Sequence, residues 1–474
     1  MSKTQSQAVA ARLDRRGFLL TTGAAAAAFS LVPRHVLGGP RFVAPSEKVN
    51  IALVGAGGQG RSNLQGLFLE KDAQVVAVAD PVQSVSLEDF YYKGTGGRSA
   101  TRTLIEKQYQ GKDPQFRCVE YDDFRVMLEK EKGLDAVLCA TPDHLHACVS
   151  VLSMRAGKHV YCEKPLTHNL WEARLVAKVA KETGVATQMG NQGHSTEGIR
   201  LTREWVAAGA IGAVREVHAW VRTSRWNPTL TGRPTETPPV PAGFNWDLWL
   251  GPREPRPYHP AYVPVKWRDF WAFGGGGLGD FGCHDMDPAC WALDLAAPET
   301  IEARGAGPTN AEIVPHGCLV YYRFPARDKH PPVKLVWHDG GLMPERPEAI
   351  PEDEPLPSRG SIFYGEKGVM LGGGLTGKPR LYPESLDQSF QRPAPTIARS
   401  KGHHRDWLDA CKGGPPASSN FEYGARLTEI TLLGILSLRV GKRIHWDAAN
   451  LKAKGLPAAD PIIREPYRKE WEIA

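Results

Sequence analysis

The stretch VNIALVGAGGQG, residues 49–60, restricts the fold more than any other in the chain. Residues 49–55 form a short run of almost continuous apolar character, the pattern of a strand buried on both faces of a parallel sheet. Gly55, Gly57 and Gly60 follow as GxGxxG, with Gly58 and Gln59 between them, and lead into a helical stretch. The first glycine permits a tight turn, the second lets the backbone approach a pyrophosphate, and the third lets helix and strand pack closely. The helix N-terminus is then aimed at the phosphates. A second strand, AQVVAVAD, ends in Asp80, twenty residues beyond Gly60. A carboxylate there accepts hydrogen bonds from the adenosine ribose hydroxyls and repels a 2′-phosphate, so NAD is expected rather than NADP.

Further strands at 135–142 (DAVLCATP), 158–165 (KHVYCEKP) and 185–190 (VATQMG) alternate with helical stretches. One helix is signalled by Asn169 as N-cap, Glu172 as its capping partner and Gly184 as its stop. This alternation predicts an α/β fold: a doubly wound parallel Rossmann sheet over 49–192. Beyond it, VREVHAWVRT, CLVYYRFP, VKLVWHD and SIFYGEKGVML come without regular helices between them, so residues 193–474 are expected to form an α+β domain with a large, open, mostly antiparallel sheet. The stretch GGGLTGKP, 372–379, nearly spells a phosphate loop, but Pro379 stands where a hydroxyl is needed, and the segment reads as a glycine-rich hairpin turn.

A chain of 474 residues suits two domains, and 42% hydrophobic with 23% charged residues suits globular cores. The formal net charge of +6 is concentrated at the start: residues 1–38 carry +4 of it, leaving +2, so nothing points to nucleic acid. That segment has Arg15-Arg16, a mild apolar stretch and a small-residue exit near Gly38, and resembles a twin-arginine (Tat) signal. The expectation is an export signal over 1–38, a linker over 39–48, passage through the Tat machinery and a periplasmic location, the alternative being a cytoplasmic protein. The eight Cys show no CxxC spacing and read as small core residues. His403-His404 open an amphipathic helix and lack a further ligand at metal spacing, so no metal is assigned.

Residues 226–271 hold five of the 13 Trp, and 228–264 hold ten of the 38 Pro, which predicts a long, aromatic, rigid loop. Trp226, Trp267, Arg268 and Trp271 are its candidate substrate residues, flat aromatic faces being suited to sugar rings; pinning the loop to the sheet is an equal reading for any one Trp. Next comes GGGGLGDFGCHDMD, 274–287, in which Asp280 and His284 share one face if the segment is helical. Pro288 predicts that the regular helix begins or kinks there.

GxGxxG at 55–60, ATPDHLHA at 140–147, KHVYCEKP at 158–165 and GDFGCH at 279–284 together resemble the Gfo/Idh/MocA family of oxidoreductases in order and spacing. The resemblance implies a nicotinamide and sugar site lined by Lys164, Asp280 and His284. His284 is preferred as base, Lys164 as electrostatic helper, and Asp280 as the group that orients His284 or grips a neighbouring hydroxyl. Thr141, Pro142, His146, Glu163 and Lys164 join the glycine residues and Asp80 as candidate cofactor contacts, with Glu163 and Pro165 shaping the turn that presents Lys164. The implied activity is NAD-dependent oxidation of a secondary hydroxyl on a sugar, glycoside or cyclitol with tightly held cofactor. The alternatives are a glycoside hydrolase working by transient oxidation and elimination, and a non-catalytic nucleotide- or sugar-binding module. An open sheet also calls for self-association, as a dimer or tetramer.

Overall fold

The computed structural model describes Ala44 and residues 47–327, 330–375 and 377–474. The expected export signal lies outside the described residues, as does most of the linker. Strand β1 (Val49–Val54) is central to a six-stranded sheet in which every pairing is parallel. The chain runs from β1 through helix α1 (Gly58–Phe68) to β2 (Ala73–Ala79), then through a small hairpin, β3 (Val85–Ser86) and β4 (Thr95–Gly96), and helix α2 (Arg98–Gln110) to β5 (Val119–Tyr121). It then crosses to β6 (Ala136–Cys139), α3 (Asp143–Arg155), β7 (His159–Glu163), α4 (Leu170–Thr183) and β8 (Thr187–Gly190). The strand order β5-β2-β1-β6-β7-β8 reverses between β1 and β6. A doubly wound sheet opens a ligand crevice at the carboxyl ends of its strands at that point. Gly55, Thr141 and Lys164, which follow β1, β6 and β7, all stand along it. Asn169 caps α4 reciprocally with Glu172, and Gly184 ends it in the left-handed conformation, as its sequence predicts.

The three glycines divide their tasks as the sequence suggests. Gly55 has φ +91°, and a Cβ there would lie 2.5 Å from the Ala140 carbonyl oxygen; a Cβ on Gly60 would lie 2.0 Å from the Gly55 oxygen, whereas Gly57 faces open space.

The second sheet has nine strands: β9 (Val214–Val221), β10 (Thr300–Ala306), β11 (Gly317–Phe324), β12 (Val333–His338), β13 (Arg359–Gly365), β14 (Val369–Gly373), β15 (Arg380–Tyr382), β16 (Ile444–Asp447) and β17 (Lys452–Ala453). In its order, β15-β14-β13-β9-β12-β11-β10-β16-β17, only β9 and β12 pair in parallel. Two strands replace the one expected for SIFYGEKGVML, because Gly365 donates its amide to the Gly368 carbonyl and turns the chain back. GGGLTGKP links antiparallel β14 and β15. Between β9 and β10, helix α5 (Gly276–Asp285) carries the GDFGCH motif and gives way to α6 (Asp287–Ala292), with Pro288 in the first turn of α6.

A 20-residue helix, α7 (Phe421–Val440), packs on α4 and on β10, so one apolar core runs from Val54 and Val137 of the first sheet to Val320 and Trp337 of the second. The loop 226–271 has a core of its own, in which Trp246 stacks on Trp249 at 4.7 Å, Trp246 packs with Tyr262 and Trp249 with Phe273. Seven of the eight Cys are buried, and none is in a disulfide. No helix among the described residues is long and apolar enough to cross a membrane.

Gly60→Ala forces a methyl into the Gly55 carbonyl and should cost about 3 kcal/mol of stability. Gly57→Ala should leave stability within about 0.5 kcal/mol. Chemical denaturation midpoints of the two variants check the contrast.

Candidate active site

One cavity of about 690 Å³ runs from the glycine turn to the GDFGCH helix. Gly55, Gly57, Gly58, Gln59, Asp80, Thr141, Pro142, His146, Glu163, Lys164, Asp280 and His284 all line it, and so do Trp226, Trp267 and Arg268. Two expected residues do not. Gly60 faces the turn it packs against. Trp271 lies in the main core and donates its indole N–H to the Asn310 carbonyl at 3.0 Å, because that hydrogen bond and the surrounding apolar packing turn it away from the cavity.

The nucleotide end fits a dinucleotide. The open space beside Gly57 lies at the N-terminus of α1, where unpaired amides can meet phosphate oxygens. Asp80 accepts the Ala56 amide at 2.7 Å and the Val82 amide at 2.8 Å, which leaves each oxygen a further lone pair for ribose hydroxyls. Burial raises its carboxyl to about 6 against those bonds and the Arg98 charge.

The reactive end is assembled from three segments. Lys164, just past β7, donates to the Asp280 carboxylate at 2.7 Å and to the Asp280 carbonyl at 2.8 Å. Arg268, from the aromatic loop, holds the other Asp280 oxygen at 3.0 Å and lies 4.2 Å from the centre of the Trp267 ring. All three side chains are only 12–14% exposed. Burial opposes ionisation of Asp280, but Arg268 and Lys164 outweigh it and hold the carboxyl well below the usual carboxylate range. Burial also opposes the Lys164 ammonium, and Asp280 outweighs it, so the lysine pKa stands above its ordinary value. The stabilisation from Asp280 is therefore complete above about pH 4 and is lost as the pH falls below that.

Asp280 does not orient His284 as expected. Both oxygens go to cations, and Coulomb attraction in a buried site favours them over a neutral imidazole. His284 Nδ1 is buried without a hydrogen-bond partner among the described residues. Burial, followed by the Lys164 and Arg359 charges, pushes the imidazole pKa well below its ordinary value. His146 packs beneath the site with Nδ1 2.7 Å from the Pro165 carbonyl oxygen and Nε2 2.9 Å from that of Thr141, which fixes its ring. Glu163 accepts from Asn63 at 2.9 Å and Gln192 at 3.0 Å, and burial raises its pKa.

Residues 49–191 match the family model described as the Gfo/Idh/MocA oxidoreductase family, NAD-binding Rossmann fold, and residues 198–312 match that family's C-terminal alpha/beta domain, together more than half of the chain. The chain belongs to the Gfo/Idh/MocA oxidoreductase family. Among its relatives, 1,5-anhydro-D-fructose reductase of Ensifer adhaerens is 35% identical over 121 residues, 25% of this chain and 35% of that protein. The 2,7-anhydro-N-acetylneuraminate hydratase of Escherichia coli is 24% identical over 170 residues, 36% of this chain and 39% of that protein. The matched stretches thus span little more than a third of those relatives. The WlbA dehydrogenase of Bordetella pertussis, solved with NADH and UDP-GlcNAcA, shares the fold at 17% identity, with a TM-score of 0.56 over 84% of this chain and 99% of that one.

The cavity of this family member also contains residues that the sequence reading passed over. Asp143 opens α3 from within ATPDHLHA and is 5% exposed; burial lifts its carboxyl to about 8, against Arg268 and Lys164. Its position in ATPDHLHA, directly after the strand end at the cofactor crevice, is the sequence feature that marks it. Arg359, at the start of β13, is fixed by Asp285 at 3.0 and 2.7 Å, and Tyr91 and Tyr92 come from the β3–β4 hairpin. Nothing local in the sequence marks these three.

In Asp280→Asn, Lys164 keeps its burial and the Arg268 charge, and both lower its pKa. Labelling of Lys164 by a small amine reagent at pH 8 should rise at least tenfold over the parent protein, a shift of one pKa unit or more. Peptide mass spectrometry reads it.

Proposed function

We propose that the chain is an NAD-dependent oxidoreductase that acts on a secondary hydroxyl of a sugar, glycoside or cyclitol and keeps its cofactor bound. The observation that carries this reading is the continuity of the cavity from Gly57 and Asp80 to Lys164, Asp280 and His284. Gly57 and the start of α1 would hold the pyrophosphate, and Asp80 the ribose. Bound NAD would supply the hydride acceptor. The chain's own residues manage the proton and the charge. A lysine ammonium has three N–H donors, and Lys164 spends two on Asp280, which leaves one for a substrate oxygen as it becomes an alkoxide. Asp280 keeps that ammonium charged. His284 is uncharged at neutral pH and takes the hydroxyl proton as general base. Trp226 and Trp267 line the same cavity, where indoles are suited to contact with a sugar ring.

A second reading is redox-assisted cleavage of a glycoside: transient oxidation, elimination of the aglycone, addition of water, and return of the hydride. It is supported by the Escherichia coli relative, because a hydratase makes no net change in oxidation state. The twin-arginine pattern in residues 1–38 bears on both readings. We take that segment to route the folded chain out of the cytoplasm with its cofactor already in place, since a free nicotinamide pool is lacking outside. A reporter fused to residues 1–40 tests this, and retention of the reporter in the cell would favour the cytoplasmic alternative.

Protein purified without added nucleotide should release close to one NAD or NADH per chain on denaturation. Lys164→Met should retain that cofactor while its reduction by a sugar that reduces the parent's bound NAD slows by about 10²–10³. Absorbance at the reduced-nicotinamide band measures it, and equal rates in both proteins would remove Lys164 from the mechanism.

A further inference from the structure

The hairpin between β3 and β4 stands outside the doubly wound plan, and it is built against the glycine turn. Its strands pair Val85 with Gly96 and Ser86 with Thr95, and its turn is closed by the Leu87 amide donating to Gly94 O at 2.8 Å and the Gly94 amide donating to Glu88 Oε1 at 2.8 Å. Its base is tied to the turn after β1, where the Gly97 amide donates to the Ala56 carbonyl at 2.9 Å. Its tip is tied to α1, where the Arg61 guanidinium donates to the Lys93 carbonyl at 3.0 Å. The Tyr92 ring lies so close to Gly58 that a Cβ there would come within 2.1 Å of it, and the Tyr91 hydroxyl donates to the Tyr92 hydroxyl at 2.6 Å.

The tip then reaches the other half of the chain. Tyr91 stacks on Trp226, with ring centres 6.1 Å apart and planes at 20°, and Phe90 meets the same indole at 6.2 Å, edge on. Tyr91 is nevertheless 65% exposed, and Tyr91, Tyr92 and Trp226 all line the cavity that begins at Gly57. A nucleotide lying against Gly57 would have both the glycine turn and the hairpin, with its aromatic contact to Trp226, beside it in the same cavity.

We propose that residues 85–97 form a strap that retains the nucleotide, latched by Tyr91 and Phe90 on Trp226, and that entry and exit of the nucleotide both require this latch to part. The proposal rests on the NAD-binding reading above and names the residues that make the cofactor captive. The latch residues act by holding the strap, as positioning residues, so unlatching speeds passage in both directions. Direct stacking on the bound nucleotide would behave differently, since its loss would speed exit alone.

The test uses the full chain, first stripped of nucleotide and then followed with NADH by stopped-flow fluorescence: association by mixing, and release by chase with excess NAD. Tyr91→Ala, at an exposed position, and Trp226→Ala should each raise the association and release rates about tenfold, an aromatic pair being worth about that factor. Because Trp226→Ala removes the Tyr91 contact together with the Phe90 contact, the double variant should match Trp226→Ala, and Tyr91→Phe, which keeps the ring, should behave as the parent. Rates within twofold of the parent in a variant that still binds NADH would overturn the strap, as would faster release with unchanged association. Failure of the parent itself to bind NADH would overturn the NAD-binding reading and the strap with it. Strap failure alone leaves NADH bound in every variant, so the two failures are distinguishable.

Discussion

The Asp280 carboxylate, held between the Lys164 ammonium and the Arg268 guanidinium, is the interaction on which the rest of this structure depends. Each of the three groups is nearly shielded from water, and an isolated ion in that position would neutralise itself or fail to be buried. Removing one partner of such a set costs about 3–5 kcal/mol, because the remaining charges stay buried and unmatched. Lys164 arrives from the end of β7, Arg268 from the aromatic loop and Asp280 from α5. The site therefore exists only when the second half of the chain is docked on the parallel sheet, and α7, packed against both halves, provides the apolar area that makes docking favourable.

With Lys164 fixed as a cation and Asp280 as an anion, the proton chemistry of the cavity falls to the groups that these two leave free. His284 is kept neutral by burial and by the cations around it, so its imidazole holds a free lone pair at neutral pH, and the same depression makes it a weaker base than an ordinary histidine. Asp143 is pushed the opposite way, up to about 8, so that its carboxyl is mostly protonated at neutral pH and can donate a hydrogen bond. Environments that drive pKa values apart among neighbouring groups in a cleft are concentrated at functional sites.

That separation also explains what the sequence could and could not convey. The glycine turn, Asp80 and the Asn169–Glu172 cap were readable because each rests on backbone geometry within a few residues or on one strand-to-strand step. The segment holding Asp280 and His284 is helical, so the condition under which their spacing of four puts them on one face is met. Their pairing was not correct, because the cations that compete for Asp280 come from 116 and 12 residues away in sequence, and Coulomb attraction decides among partners only after the chain has folded. The same limit separates Trp271 from Trp226 and Trp267: in a long loop without a period, packing alone decides which indole turns toward the cavity. Tyr91 and Tyr92 were passed over because a short hairpin inserted between β2 and α2 carries no alternating or helical pattern of its own.

The buried array and the hairpin together constrain how this protein can exchange its contents. Opening the cavity by swinging the two halves apart would separate Lys164 from Asp280 and expose or strand charges that are stable only together, a cost comparable with a large part of a domain's whole stability. Moving the hairpin leaves that charge array intact and breaks a few backbone hydrogen bonds, the Arg61 contact, the packing of Leu87 and Tyr92, and an aromatic latch whose Tyr91 is already exposed to water. Local motion of the hairpin is therefore the lower-energy route, while the catalytic array stays assembled. On the strap proposal, the barrier to nucleotide exchange therefore resides in the hairpin and its aromatic latch rather than in the buried charges of Lys164, Arg268 and Asp280.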